Sequence, residues 1–116
     1  MAVKKSTAPL VGVDIVDVSR FKKLKKINDP FLKKVFFEEE VKYCFSYKDP
    51  SVHLAGFFAL KEAVSKALGT TSYPFAEIEV RHSQDGAPVV FHKGKKLRIG
   101  VSISHTKDMA IAIAAL

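Results

Sequence analysis

Cysteine is almost absent from this sequence. Cys44 is the one cysteine among 116 residues, and there is no tryptophan. One thiol forms no disulfide within the chain, and no cluster of cysteine and histidine has the spacing of a zinc site. A disulfide framework and a structural zinc ion are therefore excluded, and the composition favours a reducing, cytoplasmic location.

Long apolar runs are also missing. No stretch reaches the roughly 18–20 residues that a membrane-spanning helix needs. Near the N-terminus two lysines precede a short apolar run that Asp14 interrupts, which disfavours a secretory signal peptide. We therefore expect no membrane span, and we interpret residues 1–9 as a flexible tail.

Acidic residues are outnumbered by basic ones. The chain has 19 lysines and arginines against 12 aspartates and glutamates, a net charge of +7. This favours an acidic partner: nucleic acid, an anionic membrane surface, a phosphorylated metabolite or an acidic protein. Much of the excess lies between Arg20 and Lys34, where a solvated helix face is the alternative explanation. A nucleic-acid surface usually adds aromatic or arginine-rich reading residues, whereas this run is rich in lysine. We therefore predict no nucleic-acid partner.

The first half of the chain is predicted to hold one strand and three helices. They are a strand over 10–18, a helix through the basic run, a helix over 38–47 and a long helix over 52–68. Ser19 and Ser51 are candidate N-caps, Asp29-Pro30 interrupts the basic run, and Gly69 ends the long helix.

The second half has the alternating period of strands. The predicted strands are 76–82, 89–91, 97–105 and 109–116, with turns at 84–88 and 93–96. Helices followed by strands favour an α+β fold. We predict a single domain over 10–116 in which the long helix packs on a largely antiparallel sheet.

The long helix has two unlike sides. One is an apolar stripe, formed by Phe57, Leu60, Val64 and Leu68. The other carries Ala55, Phe58, Ala59, Glu62 and Lys66. A solvent-exposed face normally holds more charge than this second side, which singles out its one acid and its one base.

Four polar residues lie in apolar surroundings. Asp14 interrupts a hydrophobic strand, where a carboxylate needs a partner, a metal or a shifted pKa. Glu62 and Lys66 are one helical turn apart, and His105 ends an alternating strand. The structural alternatives are a plain helical ion pair for Glu62 and Lys66, a carboxylate that caps or braces a turn for Asp14, and a structural histidine for His105. Two carboxylates with open coordination would suit Mg²⁺.

Taken together, the motifs resemble a known family. VGVDIVDVSRF is similar to the G-x-D-I-x-x-x-x-R opening of the holo-acyl-carrier-protein synthases, the short bacterial type of 4′-phosphopantetheinyl transferase. LAGFFALKEAVSKALGT resembles the second signature of that family, F-A-x-K-E-A-x-x-K-A-x-G-T. FAEIEV, the DGAP turn and VSISHT resemble its remaining blocks, in the same order from about Leu10 to Leu116.

The resemblance implies a reaction and a role for three residues. The family moves the phosphopantetheine arm of coenzyme A to a serine of an acyl carrier protein, for fatty-acid biosynthesis, and releases adenosine 3′,5′-bisphosphate. Asp14 and Glu62 match the Mg²⁺ ligands, and Glu62 would take the serine proton directly or through a metal-bound water. Lys66 matches the lysine near the leaving phosphate. No covalent enzyme intermediate is expected.

Further residues take roles from the same resemblance. Ser104, His105 and Thr106 resemble a group that contacts the nucleotide phosphates. Arg20 matches an arginine that meets the acidic carrier protein, and Lys23 and Lys26 would steer its approach.

An assembly is implied as well. Short members of the family look like homotrimers with active sites between subunits. The unlike side of the long helix would then line a cleft, and Ala55 and Ala59 would permit close approach of a neighbour.

Three positions depart from the family pattern. Phe57 stands where the family usually has arginine, Thr71 lies where a second glycine is usual, and Phe37 replaces a capping threonine. They predict weaker binding of coenzyme A or a different carrier protein. The alternative is a scaffold that has kept the fold and lost catalysis.

Overall fold

The computed structural model describes residues 10–116. The predicted flexible tail over 1–9 lies outside the described residues. In chain order the elements are β1 (Val11–Asp17), α1 (Pro30–Val35), α2 (Glu38–Phe45), α3 (Pro50–Leu68), β2 (Ile78–His82), β3 (Pro88–His92), β4 (Lys95–Lys96), β5 (Gly100–His105) and β6 (Met109–Ala115). The predicted α+β fold is confirmed. Within residues 10–116, no helix combines the length and the apolar character needed to cross a membrane.

The strands form two antiparallel sheets of three strands each. In the first, β6 lies between β1 and β5, and in the second, β3 lies between β2 and β4. The predicted turn at 93–96 is too long, because Lys93 and Gly94 alone close the hairpin with positive φ angles of 51° and 79°. The next two residues, Lys95–Lys96, already form β4, and the strand predicted over 97–105 begins only at Gly100.

Helix α3 lies directly against the first sheet because small residues let the backbones approach. Ala110, Ala112 and Ala114 of β6 are buried. A Cβ added at Gly12 of β1 would lie 1.9 Å from the carbonyl oxygen of Ala63 in α3. Glycine is therefore required at this crossing, and Asp14, two residues further along β1, lies on the same face beside α3.

Two predicted N-caps are wrong. The side chain of Asp17 accepts a hydrogen bond from the backbone N–H of Ser19, at 3.0 Å. The side chain of Asp49 does the same for Ser51, at 3.0 Å, so α3 begins at Pro50. In each case an aspartate two residues before the predicted serine supplies the capping oxygen.

The basic run is not one helix. Val18–Phe21 is a single 3₁₀ turn, and the chain then stays outside regular structure until Asp29 caps α1. Lys23 and Lys26 consequently lie on an exposed loop rather than on a helix face.

A buried ion pair joins α3 to α2, and the sequence did not predict it. Lys61 and Glu40 are almost completely buried, with 2.6 Å between Nζ and Oε1. Lys61 also donates to the carbonyl oxygen of Ile78, and Glu40 accepts from the backbone N–H groups of Val80 and Phe37. Two helices and β2 are thereby joined through one satisfied polar cluster. The single-domain organisation over 10–116 stays a prediction, with which this cluster agrees.

Candidate active site

Asp14 and Lys66 form an ion pair between β1 and α3. The distance from Lys66 Nζ to Asp14 Oδ1 is 3.1 Å, and Lys66 also donates to the carbonyl oxygen of Val13 at 3.1 Å. The Asp14 side chain is mostly buried, and that of Lys66 is about half exposed. Lys66 therefore pairs with the strand aspartate, and the plain helical pair with Glu62 is not what the structure shows.

Glu62 lies one turn before Lys66 on the same side of α3. Burial raises the pKa of its carboxyl, and the negative charge of Asp14 raises it further, against the opposing charges of Lys66 and Arg20. Within residues 10–116, the Glu62 carboxylate makes no hydrogen bond or ion pair within the usual distances. In this part of the chain, Glu62 is thus an acid without a direct ion-pair partner, and it lies beside a second acid.

This pair of acids fits a hard divalent cation. Asp14 and Glu62 are near enough for one charge to shift the pKa of the other. Among residues 10–116, no cluster of three or more His, Cys, Asp or Glu side chains could hold a metal. Two carboxylates and no further protein ligand suit Mg²⁺, which usually keeps several waters and shares substrate oxygens.

The residues predicted to contact nucleotide phosphates lie elsewhere. Ser104 and His105 end β5, and the Thr106 hydroxyl accepts hydrogen bonds from the backbone N–H groups of the turn into β6. The His105 ring centre lies 6.3 Å from that of His53, in the first turn of α3.

Helix geometry separates the two groups within one chain. Glu62 is nine residues beyond His53, which places it about 14 Å along the axis and about half a turn round. The structure therefore brings Asp14, Glu62 and Lys66 together on one flank of α3, and it places His105 on the opposite flank.

One predicted carrier-binding residue, Arg20, lies near the acids. The Arg20 guanidinium is 5.1 Å from the centre of the Phe58 ring, and its charge lowers the pKa of Glu62. Lys23 and Lys26 follow on the exposed loop.

The expected role of two alanines is wrong. Ala55 and Ala59 are completely buried within the single chain, where they pack in its core. They offer no surface to a neighbouring subunit. Their small size serves the packing of α3 inside the chain.

Sequence reasoning missed a cluster of aromatic rings and imidazoles. Tyr43 stacks on His82 with 4.2 Å between ring centres, and Tyr47 stacks on His53 at 3.7 Å. No periodic pattern connects α2, α3 and β2, so only their packing shows that these rings meet.

The chain belongs to the 4′-phosphopantetheinyl transferase superfamily, whose model matches residues 10–114. Within it, the chain is 47% identical over 108 residues to the holo-[acyl-carrier-protein] synthase of Thermodesulfovibrio yellowstonii. This match covers 91% of this chain and 96% of that protein. The predictions of this family and of an enzyme belonging to it are confirmed.

Solved structures give the same result. A holo-(acyl-carrier-protein) synthase from Bacillus anthracis in complex with CoA (3′,5′-ADP) has a TM-score of 0.78 and 32% identity, over 95% of this chain and 97% of that one. The Helicobacter pylori holo-[acyl-carrier-protein] synthase in complex with coenzyme A has a TM-score of 0.74 and 34% identity, over 90% of this chain and 96% of that one.

Proposed function

We propose that this protein transfers the 4′-phosphopantetheine arm of coenzyme A to a serine of an apo acyl carrier protein. The reaction is Mg²⁺-dependent, releases adenosine 3′,5′-bisphosphate and serves fatty-acid biosynthesis. The observation that carries the proposal is the convergence of Asp14, Glu62 and Lys66 on one flank of α3, in a member of this superfamily. The cytoplasmic location stays a prediction.

Asp14 and Glu62 would hold the cation. When bound, Mg²⁺ would supply charge neutralisation for the pyrophosphate of coenzyme A and orient it. The raised pKa of Glu62 and the adjacent Asp14 charge support this assignment, since two neighbouring carboxylates gain from a cation between them.

Glu62 and Lys66 supply the proton chemistry and the charge. The Glu62 carboxylate would accept the proton of the attacking serine hydroxyl, directly or through a metal-bound water. Lys66 has an exposed ammonium that can turn from Asp14 to the departing phosphate. The serine oxygen forms the new P–O bond as the bond to adenosine bisphosphate breaks.

We further propose a homotrimer with active sites between subunits. Two features support it: His105 lies on the flank of α3 opposite to Glu62, and the outer face of the first sheet is apolar. Val11, Val13, Ile15, Ile111 and Ile113 form that face and are between 42% and 61% exposed. A contiguous apolar face of this kind usually marks an interface.

The assembly has a direct measurement. Analytical ultracentrifugation should give three times the mass of the chain at micromolar concentration. The substitution Ile113→Lys should lower the measured mass to that of one chain. The lysine would be buried in the trimer interface against the apolar faces of the other two chains. A wild-type protein that sediments as a monomer would contradict the trimer.

The exposed basic loop should control recognition of the carrier protein. We expect Lys23→Glu with Lys26→Glu to raise KM for an acidic carrier about tenfold at low salt, with kcat unchanged, because steering acts on encounter. The difference should shrink as salt rises. Lys95→Glu with Lys96→Glu makes the same charge change on β4 and serves as control. Equal KM values for the two double variants would contradict steering.

Intact-mass spectrometry tests the function itself. Incubating an apo acyl carrier protein with this protein, coenzyme A and Mg²⁺ should add about 340 Da, the mass of the phosphopantetheine arm, and EDTA should abolish the gain. No gain, together with no rise in Tm on adding coenzyme A and Mg²⁺, would point to a scaffold that has lost catalysis.

A further inference from the structure

Lys61, the buried partner of Glu40, directly precedes Glu62 on α3. Consecutive residues of an α-helix lie about 100° apart round its axis. Lys61 therefore reaches toward α2, while Glu62 lies on the flank of α3 that carries the site with Asp14. Because a helix turns about its axis as one body, whatever fixes the direction of Lys61 also fixes the direction of Glu62.

Bonds from two other elements hold the Lys61 ammonium. Its Nζ lies 2.6 Å from Oε1 of Glu40 on α2, and it donates, also at 2.6 Å, to the carbonyl oxygen of Ile78 at the start of β2. The ring centres of Phe36 and Phe37 lie 5.5 Å and 5.0 Å from the same nitrogen. Hydrogen bonds weaken steeply once their angles leave the preferred range. This side chain consequently opposes rotation of α3.

The contact of α3 with the first sheet offers less resistance to rotation. Three buried alanines recur at every fourth position of the helix: Ala59, Ala63 and Ala67. The sheet meets them with Gly12 of β1 and with the buried alanines of β6. Long side chains would pack as ridges in grooves and fix the angle of the helix. Methyl groups are short, and apolar burial has no preferred direction. The rotation of α3 must therefore be fixed elsewhere.

Glu62 has no anchor of its own in the part of the chain that the structure describes. Its carboxylate forms no hydrogen bond or ion pair there, and Lys66 is about half exposed in its pair with Asp14. Exposed ion pairs constrain a structure weakly. A rotation of α3 by about 10° would move a group about 6 Å from the helix axis by about 1 Å. Misplacing a reacting group by about 1 Å can lower a rate about 10²-fold.

We propose that Glu40 and Lys61 are positioning residues for phosphopantetheine transfer, because their bonds set the rotation of α3 that brings Glu62 to Asp14. The identity of the reaction rests on the proposed function. Both residues are almost completely buried, so they act through Glu62 and not by touching a substrate. Apolar residues of similar volume often stabilise a core as well as a buried ion pair does, and the best-attested use of buried polar groups is to fix one arrangement among several. Here that arrangement is the one that places the two acids together.

A shortened acid tests the position with little change in chemistry. Glu40→Asp keeps the charge but draws the carboxylate back by one methylene, so the pair closes only if α2 or α3 shifts. We expect kcat to fall about tenfold. KM for the carrier protein should stay unchanged, because the loop that holds Lys23 and Lys26 lies outside both helices. Glu38→Asp makes the same change at an exposed position of the same helical turn and should keep the wild-type kcat. Equal kcat values for the two variants, both folded by circular dichroism, would overturn the proposal.

Crystal structures give a readout that needs no activity. Glu40→Gln with Lys61→Met removes both charges and the lysine donor. Compared with the wild type in the same crystal form, the Glu62 carboxylate of this double variant should move by about 1 Å relative to Asp14. Val90→Ala truncates a buried side chain on β3, outside α2 and α3, and should lower Tm without this movement. Glu40→Asp gives the same readout if the double variant does not fold. A Glu62 carboxylate that stays in place would overturn the proposal, whatever the value of kcat.

Failure of the positioning role and failure of the proposed function give different results. A wild-type protein that transfers no phosphopantetheine would overturn the proposed function, and the crystal structures would still decide whether the buried pair places Glu62. Transfer by the wild type, with a lowered kcat and a displaced Glu62 in the variants, would support both. A lowered kcat with Glu62 in its wild-type position would mean that the pair acts through stability alone.

Discussion

Replacing Glu62 with glutamine is expected to lower the rate of phosphopantetheine transfer about 10²–10⁴-fold, the usual contribution of a positioned general base. Glutamine keeps the size of the side chain and removes both the proton acceptor and one negative charge beside Asp14. The side chain is only partly buried and has no hydrogen-bond partner within residues 10–116, so the fold should survive. The readout is kcat with saturating coenzyme A, Mg²⁺ and carrier protein.

A matched control separates chemistry from charge. Glu38→Gln removes an exposed carboxylate from the first turn of α2 and should leave kcat unchanged. Circular dichroism should show that both variants melt near the wild-type Tm. Transfer by Glu62→Gln at the wild-type rate would contradict its role as base.

The pH profile of the wild type should carry the signature of the same residue. Glu62 acts as a base only when ionised, so kcat/KM should rise with pH through its pKa. Burial and Asp14 place that pKa above the ordinary value of 4.5. Asp14→Asn removes one of the two causes, so the pKa of the Glu62 carboxyl, measured by NMR in the metal-free protein, should be lower in this variant than in the wild type. The same Glu62 pKa in Asp14→Asn and in the wild type would contradict an influence of the Asp14 charge on the Glu62 carboxyl.

The sequence predicts well what depends on local pattern. Alternation over 10–18 gives β1 because its residues pack against α3 on one face only. Gly69 ends α3 with a φ of 110°, a conformation that favours glycine. Asp14 attracts notice because a charge in an apolar strand needs a partner, and the structure supplies Lys66.

Prediction fails where two local choices compete or where distant elements meet. Asp49 and Ser51 are both good caps, and only the backbone geometry shows that the aspartate is used. Likewise, Glu62 and His105 belong to two motifs of the same family, yet they lie on opposite flanks of α3. Periodicity gives the angle between residues of one helix, and it does not say which strand packs on each flank.

Lys61 shows how a signal can be present and still be passed over. It falls within the apolar stripe of α3, between Phe57 and Val64, where a solvent-exposed lysine is out of place. A lysine in such a stripe requires a buried acid, and the acid is Glu40, in the first turn of α2. Three adjacent glutamates occupy that turn, so the sequence alone did not identify the partner.

The largest loss of stability is expected from Lys61→Met. Methionine fills much of the same volume but leaves the Glu40 carboxylate buried without its cation. Breaking a buried ion pair in this way costs about 3–5 kcal/mol, a large part of the roughly 5–15 kcal/mol that stabilises a typical domain. Thermal and urea unfolding at pH 7 measure the change. A loss below about 1 kcal/mol, the range of exposed pairs, would contradict the importance of the pair.

A second substitution shows that the uncompensated charge is the cause. Adding Glu40→Gln to Lys61→Met removes the buried charge and keeps one of the two acceptor oxygens, since Oε2 accepts from Val80 and Oε1 from Phe37. The double variant should therefore be more stable than Lys61→Met alone, although it carries one more substitution. A double variant with the sum of the two single losses would point to packing instead.

Acid should restore the single variant, because the pKa of Glu40 is raised by burial and only the Lys61 charge and hydrogen bonds oppose that shift. Without Lys61, the folded state binds a proton on Glu40 at a pH where the unfolded chain does not. Stability then rises as pH falls from 8 toward the unfolded pKa near 4.5. We expect Lys61→Met to lose less stability at pH 5 than at pH 8, relative to wild type, and Glu40→Gln/Lys61→Met to lack this dependence. Equal losses at the two pH values would mean that Glu40 is not the group that Lys61 neutralises.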